Sequence, residues 1–157
     1  MNPPTIEIRE VRKGMEAMLS RFFAALTECG VDKFFHPHPF TDEAALERAN
    51  YTGKDLYFLL LEDDEILAYG MLRGWDQGYE IPSLGIVVHP DFQGLGMGRL
   101  MMDFLRLAAI RRNAPKIRLR VYPTNTSAVK LYNSLGYELT TEEDGTYLVG
   151  FLNLPQH

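Results

Sequence analysis

The chain has 157 residues, 46% hydrophobic and 24% charged, and its sixteen Lys and Arg against twenty-one Asp and Glu give a formal net charge of −5. This length suits one domain with one core, and the composition excludes a disordered or fibrous chain. The acidic balance argues against a nucleic-acid partner held by phosphate neutralisation, and the lone cysteine, Cys29, excludes a disulfide framework or a thiolate metal cluster, so no metal is expected.

The start, Met1-Asn2-Pro3-Pro4, carries no basic stretch leading into an apolar one, so no secretion signal is expected. The longest apolar runs, such as 57–61, stop far short of the ~20 residues of a membrane span. A cytoplasmic location and no membrane partner are expected.

Residues 5–9 alternate apolar and polar, as a half-buried strand does. Met15, Met18, Leu19, Phe22, Phe23 and Leu26 then recur at helical spacing over 14–28, with Gly30 suited to the C-terminal end. Two prolines make 34–40 a loop. Thr41 followed by Asp42 and Glu43 opens a short helix to about residue 50. The runs 56–62 and 65–73 flank Asp63-Asp64 as a hairpin, and 80–89 reads as a third long strand around Ile86-Val87-Val88. His89 reads as structural, capping that strand.

A glycine-rich turn follows at 93–98, then an amphipathic helix with Leu100, Met101, Phe104, Leu105, Ala108 and Ala109 on its apolar side, ended by Arg111, Arg112, Asn113 and Pro115. Residues 116–122 alternate as a strand, 125–135 form a helix closed by Gly136, and 146–152 make a last strand whose pattern suits burial on both faces. The order β-α-α-β-β-β-α-β-α-β-β predicts an α/β fold, a single domain over 1–157 with a mixed sheet and helices on both faces, rather than a doubly wound one.

The stretch 86–98 carries the most chemistry. Backbone N–H groups at a helix start lack internal partners and point outward, and the helix dipole adds positive potential. Glycines let a phosphate approach the chain. Gly94, Leu95, Gly96, Met97, Gly98 and Arg99 together form a cradle for a pyrophosphate, with the Arg99 charge at its rim. A P-loop would need Gly-Lys-Ser/Thr where this chain has Gly-Arg-Leu, and a Rossmann turn would follow the first strand rather than the fourth. A bare strand-to-helix turn without a ligand is the plain alternative, and the flanking residues argue against it.

Gln93, Gly96 and Gly98 match the Gln/Arg-x-x-Gly-x-Gly/Ala turn, after Gly85-Ile86-Val87-Val88-His89-Pro90-Asp91. Some thirty residues on, 125–137 match Asn-x-x-Ala-x-x-Leu-Tyr-x-x-Leu-Gly-Phe/Tyr. With both blocks in order, the chain resembles the GNAT superfamily of acetyl-CoA-dependent N-acetyltransferases, well over 56–140 and weakly before. The resemblance implies that the main chain of Ile86 and Val88 pairs with the pantetheine arm, that the turn after Gln93 holds the pyrophosphate, that Asn125 contacts the donor, and that Tyr132 protonates the departing thiolate. A phenol and an alkyl thiol have pKa values near ~10, so that transfer is nearly balanced. Without the motif, Tyr132 reads as a half-buried core aromatic.

An ammonium must lose its proton before it attacks. Strand alternation over 80, 82, 84 and 86 makes Glu80 one candidate base, against a solvated strand-end carboxylate. His36 and His38, braced by Pro37 and Pro39 in a loop that lines the acceptor site in this superfamily, are the others, against two surface histidines. Trp75, Tyr79, Tyr122 and Tyr51 are candidates to line the acceptor site, against core packing for Tyr122 and surface for Trp75. Cys29 has no base partner in the pattern, so direct transfer rather than an acyl-enzyme is expected.

The expected reaction moves acetyl from acetyl-CoA to a primary amine of a small molecule. The similarity around 73–83 suggests relatives that act on amino sugars or nucleotide-linked amino sugars. The alternatives are a non-catalytic acyl-CoA-binding regulatory module and a protein N-terminal or lysine acetyltransferase. A strand apolar on both faces is costly as a bare sheet edge, so the last strand also suggests a homodimer.

Overall fold

A computed structural model describes residues 2–35 and 37–156. The elements run β1 (Ile6–Glu10), α1 (Glu16–Glu28), α2 (Asp42–Ala49), β2 (Leu56–Glu62), β3 (Glu65–Arg73), β4 (Ser83–Val88), α3 (Met97–Arg111), β5 (Lys116–Val121), α4 (Thr126–Ser134), β6 (Glu138–Thr141) and β7 (Leu148–Asn153). This is the order read from the sequence. Short 3-10 turns at Val31–Phe34, Trp75–Gln77 and Pro90–Phe92 link them. The seven strands form one sheet in the order β1-β2-β3-β4-β5-β7-β6, antiparallel except for β4 beside β5.

Each face of the sheet carries its own core. On one, Leu19, Phe22, Phe23 and Leu26 of α1 and Ala44, Ala45 and Ala49 of α2 pack on Tyr57, Leu59, Tyr69, Met71 and Val87. On the other, Met101, Met102, Leu105 and Ala109 of α3 pack with Tyr132 of α4 on Leu60, Ala68, Leu72, Leu84, Ile117, Leu119 and Val121. Helices cover β3 on both sides, which explains its unbroken apolar run. Thr41 Oγ1 accepts a hydrogen bond from the Ala44 N–H at 3.1 Å and caps α2. Gly70 lets α3 settle on β3: a Cβ there would lie 2.6 Å from Met101 Cγ. That close approach sets where the N-terminus of α3 falls relative to β4.

Two expectations are corrected. Strand β4 starts at Ser83, not at residue 80. Gly78 is left-handed at φ 85° after the 3-10 turn, and Pro82 offers no N–H to a ladder. Nor is the last strand an edge: β7 lies between β5 and β6, paired with both. The edge on that side of the sheet is instead β6, whose four residues Glu138, Leu139, Thr140 and Thr141 are mostly polar. Burial on both faces also fails, since Phe151 and Asn153 are exposed. The edge argument for a homodimer therefore loses its basis.

Candidate active site

Strands β4 and β5 meet at a single register pair, Ser83 with Arg118, and then diverge. The Arg118 N–H donates to Pro82 O at 2.9 Å, and the His89 N–H donates to Leu67 O of β3 at 2.8 Å. Strand parity follows: odd-numbered main chain in β4 faces β3, and even-numbered main chain faces β5. The N–H and C=O of Ile86 and Val88 therefore point into the divergence, where no strand among the described residues pairs with them. Buried main chain needs partners, and an extended ligand can supply them.

Beyond β4, His89 Nδ1 accepts from the Asp91 N–H at 3.1 Å, so its structural role is to cap the Pro90–Phe92 turn rather than the strand before it. Gly94 and Gly96 then take positive φ, 79° and 92°, in open surroundings. Gly96 is the N-cap of α3, and no side chain caps that helix. The first intrahelical N–H is that of Leu100, bonded to Gly96 O at 3.0 Å, which leaves those of Met97, Gly98 and Arg99 outward. Arg99 Nη2 donates to Ser134 Oγ at 2.7 Å, fixing that cation beside the turn. Gln93, Gly94, Gly96, Met97, Gly98, Arg99 and Asn125 all line one cavity with Ile86 and Val88.

That cavity, of about 940 Å³, passes through the sheet where β4 and β5 part. Leu84, Ile86, Val88, Leu131 and Tyr132 line it on the α3/α4 side. Arg73, Ser83, Gly85, Val87, Arg118, Arg120, Tyr122 and Tyr147 line it on the other, under Phe34, Phe35 and Pro37. Tyr132 is buried, and burial pushes its phenol up to about 12. Among the described residues its hydroxyl has no hydrogen-bond partner. It is thus held protonated across the neutral range on the wall of the cavity.

Several expected site residues lie elsewhere. Glu80 is exposed in the bend before β4 and does not line the cavity. Trp75 lies under the Arg112 guanidinium at 4.8 Å, and Tyr79 is 62% exposed beside Gly74. Tyr51 donates to Asp76 at the same remote end. His38 turns into the core: its Nε2 lies 2.8 Å from the buried Tyr69 hydroxyl, among Phe23, Phe35 and Phe40. Burial lowers the His38 pKa. His36 lies outside the described residues. Tyr122 does reach the cavity, stacked on Tyr147 with centroids 4.7 Å apart. Cys29, far from the turn in sequence, also lines it.

Sequence reasoning missed Arg73, Ser83, Arg118, Arg120 and Tyr147. A signal existed in β5 and the residue after it, where Arg118, Arg120 and Tyr122 alternate with the buried Ile117, Leu119 and Val121. Arginines alternating with core residues in a central strand mark a polar interior surface. A separate depression of about 690 Å³, lined by Met18, Arg21, Phe22, the β2–β3 turn and His89, contains none of the glycine-turn residues and not Tyr132.

A free main-chain edge, an uncapped helix start behind left-handed glycines and a protonated phenol share one cavity through a split sheet. The family model of the acetyltransferase (GNAT) family matches residues 19–137, and the chain belongs to this family. It is an acetyltransferase of this acetyl-CoA-dependent family. It is 29% identical over 113 residues to an acetyltransferase of Sodalis glossinidius, covering 71% of this chain and 76% of that one. It is 32% identical over 101 residues to one of Pectobacterium atrosepticum, covering 64% and 70%. Its fold matches that of the Salmonella typhimurium protein yncA, solved with its cofactor acetyl-CoA (TM-score 0.77, 19% identity, 97% of this chain and 95% of that one). It also matches the ribosomal-protein-S18-alanine N-acetyltransferase of Escherichia coli (TM-score 0.69, 20% identity, 97% and 94%).

Proposed function

We propose that the enzyme transfers acetyl directly from acetyl-CoA to a primary amine of a small molecule, an amino sugar or nucleotide-linked amino sugar. The observation that carries this reading is the cavity through the sheet. A donor laid along β4 from the α3/α4 side brings its reactive end to the chamber walled by Tyr122, Tyr147 and Arg118. Phe34, Phe35 and Pro37 cover that chamber, which suits a small acceptor better than a protein chain. The stacked Tyr122–Tyr147 pair offers an aromatic face of the kind that packs on a sugar ring.

Bound acetyl-CoA supplies a thioester carbonyl open to attack by an amine. Ile86 and Val88 hold its arm by main-chain hydrogen bonds, as an added strand would be held. The outward N–H groups of Met97, Gly98 and Arg99 hold the pyrophosphate, and Asn125 adds a side-chain contact. Tyr132 gives its proton to the departing thiolate. No carboxylate of the described residues lines the cavity, so the amine loses its proton to water there. We place the enzyme in the cytoplasm, where the exposed Cys29 stays a thiol.

The test is CoA release across amino sugars, nucleotide-linked amino sugars, amino acids and a peptide with an N-terminal alanine. Turnover with a small amine is expected. Turnover on the peptide alone would replace the reading with a protein acetyltransferase. Tight acetyl-CoA binding with no turnover on any acceptor would point to a regulatory binding module.

A further inference from the structure

Arg73 pairs in register with Ser83 across β3 and β4, and Ser83 pairs with Arg118 across β4 and β5. Residues paired in register present their side chains to the same face. Arg73, Ser83 and Arg118 therefore form a lateral row, with its two arginines about 10 Å apart at Cα, two strand spacings. The row lies where the two strands begin to part, and all three residues line the acceptor side of the cavity. Ile86 is three residues further along β4, about 10 Å at the rise of a strand.

The charge balance there is one-sided. Arg120 is already neutralised: its guanidinium grips Glu142 through Nε at 2.9 Å and Nη2 at 3.0 Å, and lies 3.8 Å over the Tyr147 ring. Asp144 adds to the negative field at Arg120. Arg118 only reaches the same Glu142 at 4.0 Å, and Arg73 donates through Nη1 to the uncharged Pro37 O at 2.8 Å. No acid of the described residues lines the cavity. Two cations on one wall with a hydroxyl between them repel one another, and a bound anion relieves that repulsion.

Building on the acetyl-transfer reading, we infer that the acceptor carries an acidic group, a carboxylate or a phosphate, held by Arg73, Ser83 and Arg118 while its amine faces the thioester. Guanidinium groups suit both through paired N–H donors, and the Ser83 hydroxyl adds a third. The Tyr122–Tyr147 stack packs the body of the same molecule. The row acts as a selectivity filter: a neutral amine leaves Arg73 without a counter-charge and Arg118 with only the distant, shared Glu142, whereas an amine bearing an anion fills the wall.

Two matched pairs test this with the CoA-loaded protein, in which no transfer occurs. Dissociation constants are measured by calorimetry for glucosamine against glucosamine 6-phosphate, and for tyramine against tyrosine. The anionic member of one pair should bind at least ~10-fold tighter, with the pair identifying phosphate or carboxylate. That preference should vanish in Arg118→Gln and in Arg73→Gln, should recover in part in Arg118→Lys, and should shrink as salt rises. Unchanged CoA affinity in the variants shows that the fold persists. Equal affinity within both pairs overturns the inference, as does a preference that survives the Arg73→Gln/Arg118→Gln double variant. Release of CoA, measured separately, distinguishes the two claims. Transfer to neutral and anionic amines with equal KM refutes the anion filter and leaves acetyl transfer standing. Selective anion binding without CoA release from any amine does the reverse.

Discussion

Replacing Tyr132 by Phe removes one oxygen and leaves the ring that packs between α4 and the sheet. The hydroxyl has no hydrogen-bond partner among the described residues, so the change orphans no donor or acceptor. Stability should stay within about 1 kcal/mol of the parent. Turnover should fall ~10²–10⁴-fold, the usual range for a general acid, or about 3–5 kcal/mol of transition-state stabilisation. Acetyl-CoA affinity should not change, since the proposed binding mode assigns the donor to the main chain of β4 and the α3 turn rather than to this hydroxyl. The assay is thiol release under saturating donor and acceptor, corrected for the exposed Cys29 thiol, with calorimetry of acetyl-CoA binding alongside. The phenol is pushed up to about 12, so it stays protonated and imposes no alkaline limb on the wild-type rate below about pH 11. The sign for stability follows: burial favours the neutral form, so the contribution is complete below the unfolded value near ~10 and is lost as pH rises from there toward 12. The Phe variant lacks that component of the alkaline decline. A Phe variant that turns over at the parental rate, or that loses donor binding in step with activity, refutes the role of Tyr132.

Gly96→Val puts a β-branched residue at φ 92° at the N-cap of α3, costing on the order of 1–3 kcal/mol and crowding the pyrophosphate cradle; calorimetry should show CoA affinity falling at least ~10-fold in a folded variant. Tyr137→Phe removes a buried hydroxyl with no partner, so it should stabilise by about 1 kcal/mol and raise Tm by about 2–4 °C in thermal unfolding. His38 has a lowered pKa, so its neutral form is native and its contribution is lost as pH falls through 6.5. Denaturant titrations from pH 7.5 to 5 should therefore show a shallower acid decline in His38→Gln, and the rate profile of that variant should keep its low-pH limb.

The order of the elements and the glycine turn were legible because both are local. Helical spacing over α1 and α3, and the strand-glycine-helix passage at 86–98, need no partner to be read. Glu80 was misread because alternation was extended past Pro82 and the left-handed Gly78, where the chain is no longer extended. His38 was misread because its neighbours arrive from α1 and β3, with Tyr69 thirty-one residues away in sequence. Pro37 and Pro39 signalled a rigid loop, not the direction in which the imidazole turned. The Arg73–Ser83–Arg118 row depends on registers spanning three strands, which composition does not encode. The place of β7 beside β5 follows from the closing hairpin laying its second strand inward, a choice invisible in apolar patterning.

The single rung between β4 and β5 makes the sheet two leaves joined at one hinge pin, with α3 packed across the joint. In the binding mode proposed above, the donor would act as a mortar between the leaves, supplying rungs that the chain omits beyond Ser83. Folding and metabolite supply become coupled: donor at a hundred times its dissociation constant adds about 2.7 kcal/mol to the folded state. Amide protons of Ile86 and Val88, though central in the fold, should exchange as freely as those of a frayed edge and slow only when the donor arrives. A thermal-unfolding titration with donor should therefore raise Tm, with the protection gained concentrated along this one seam.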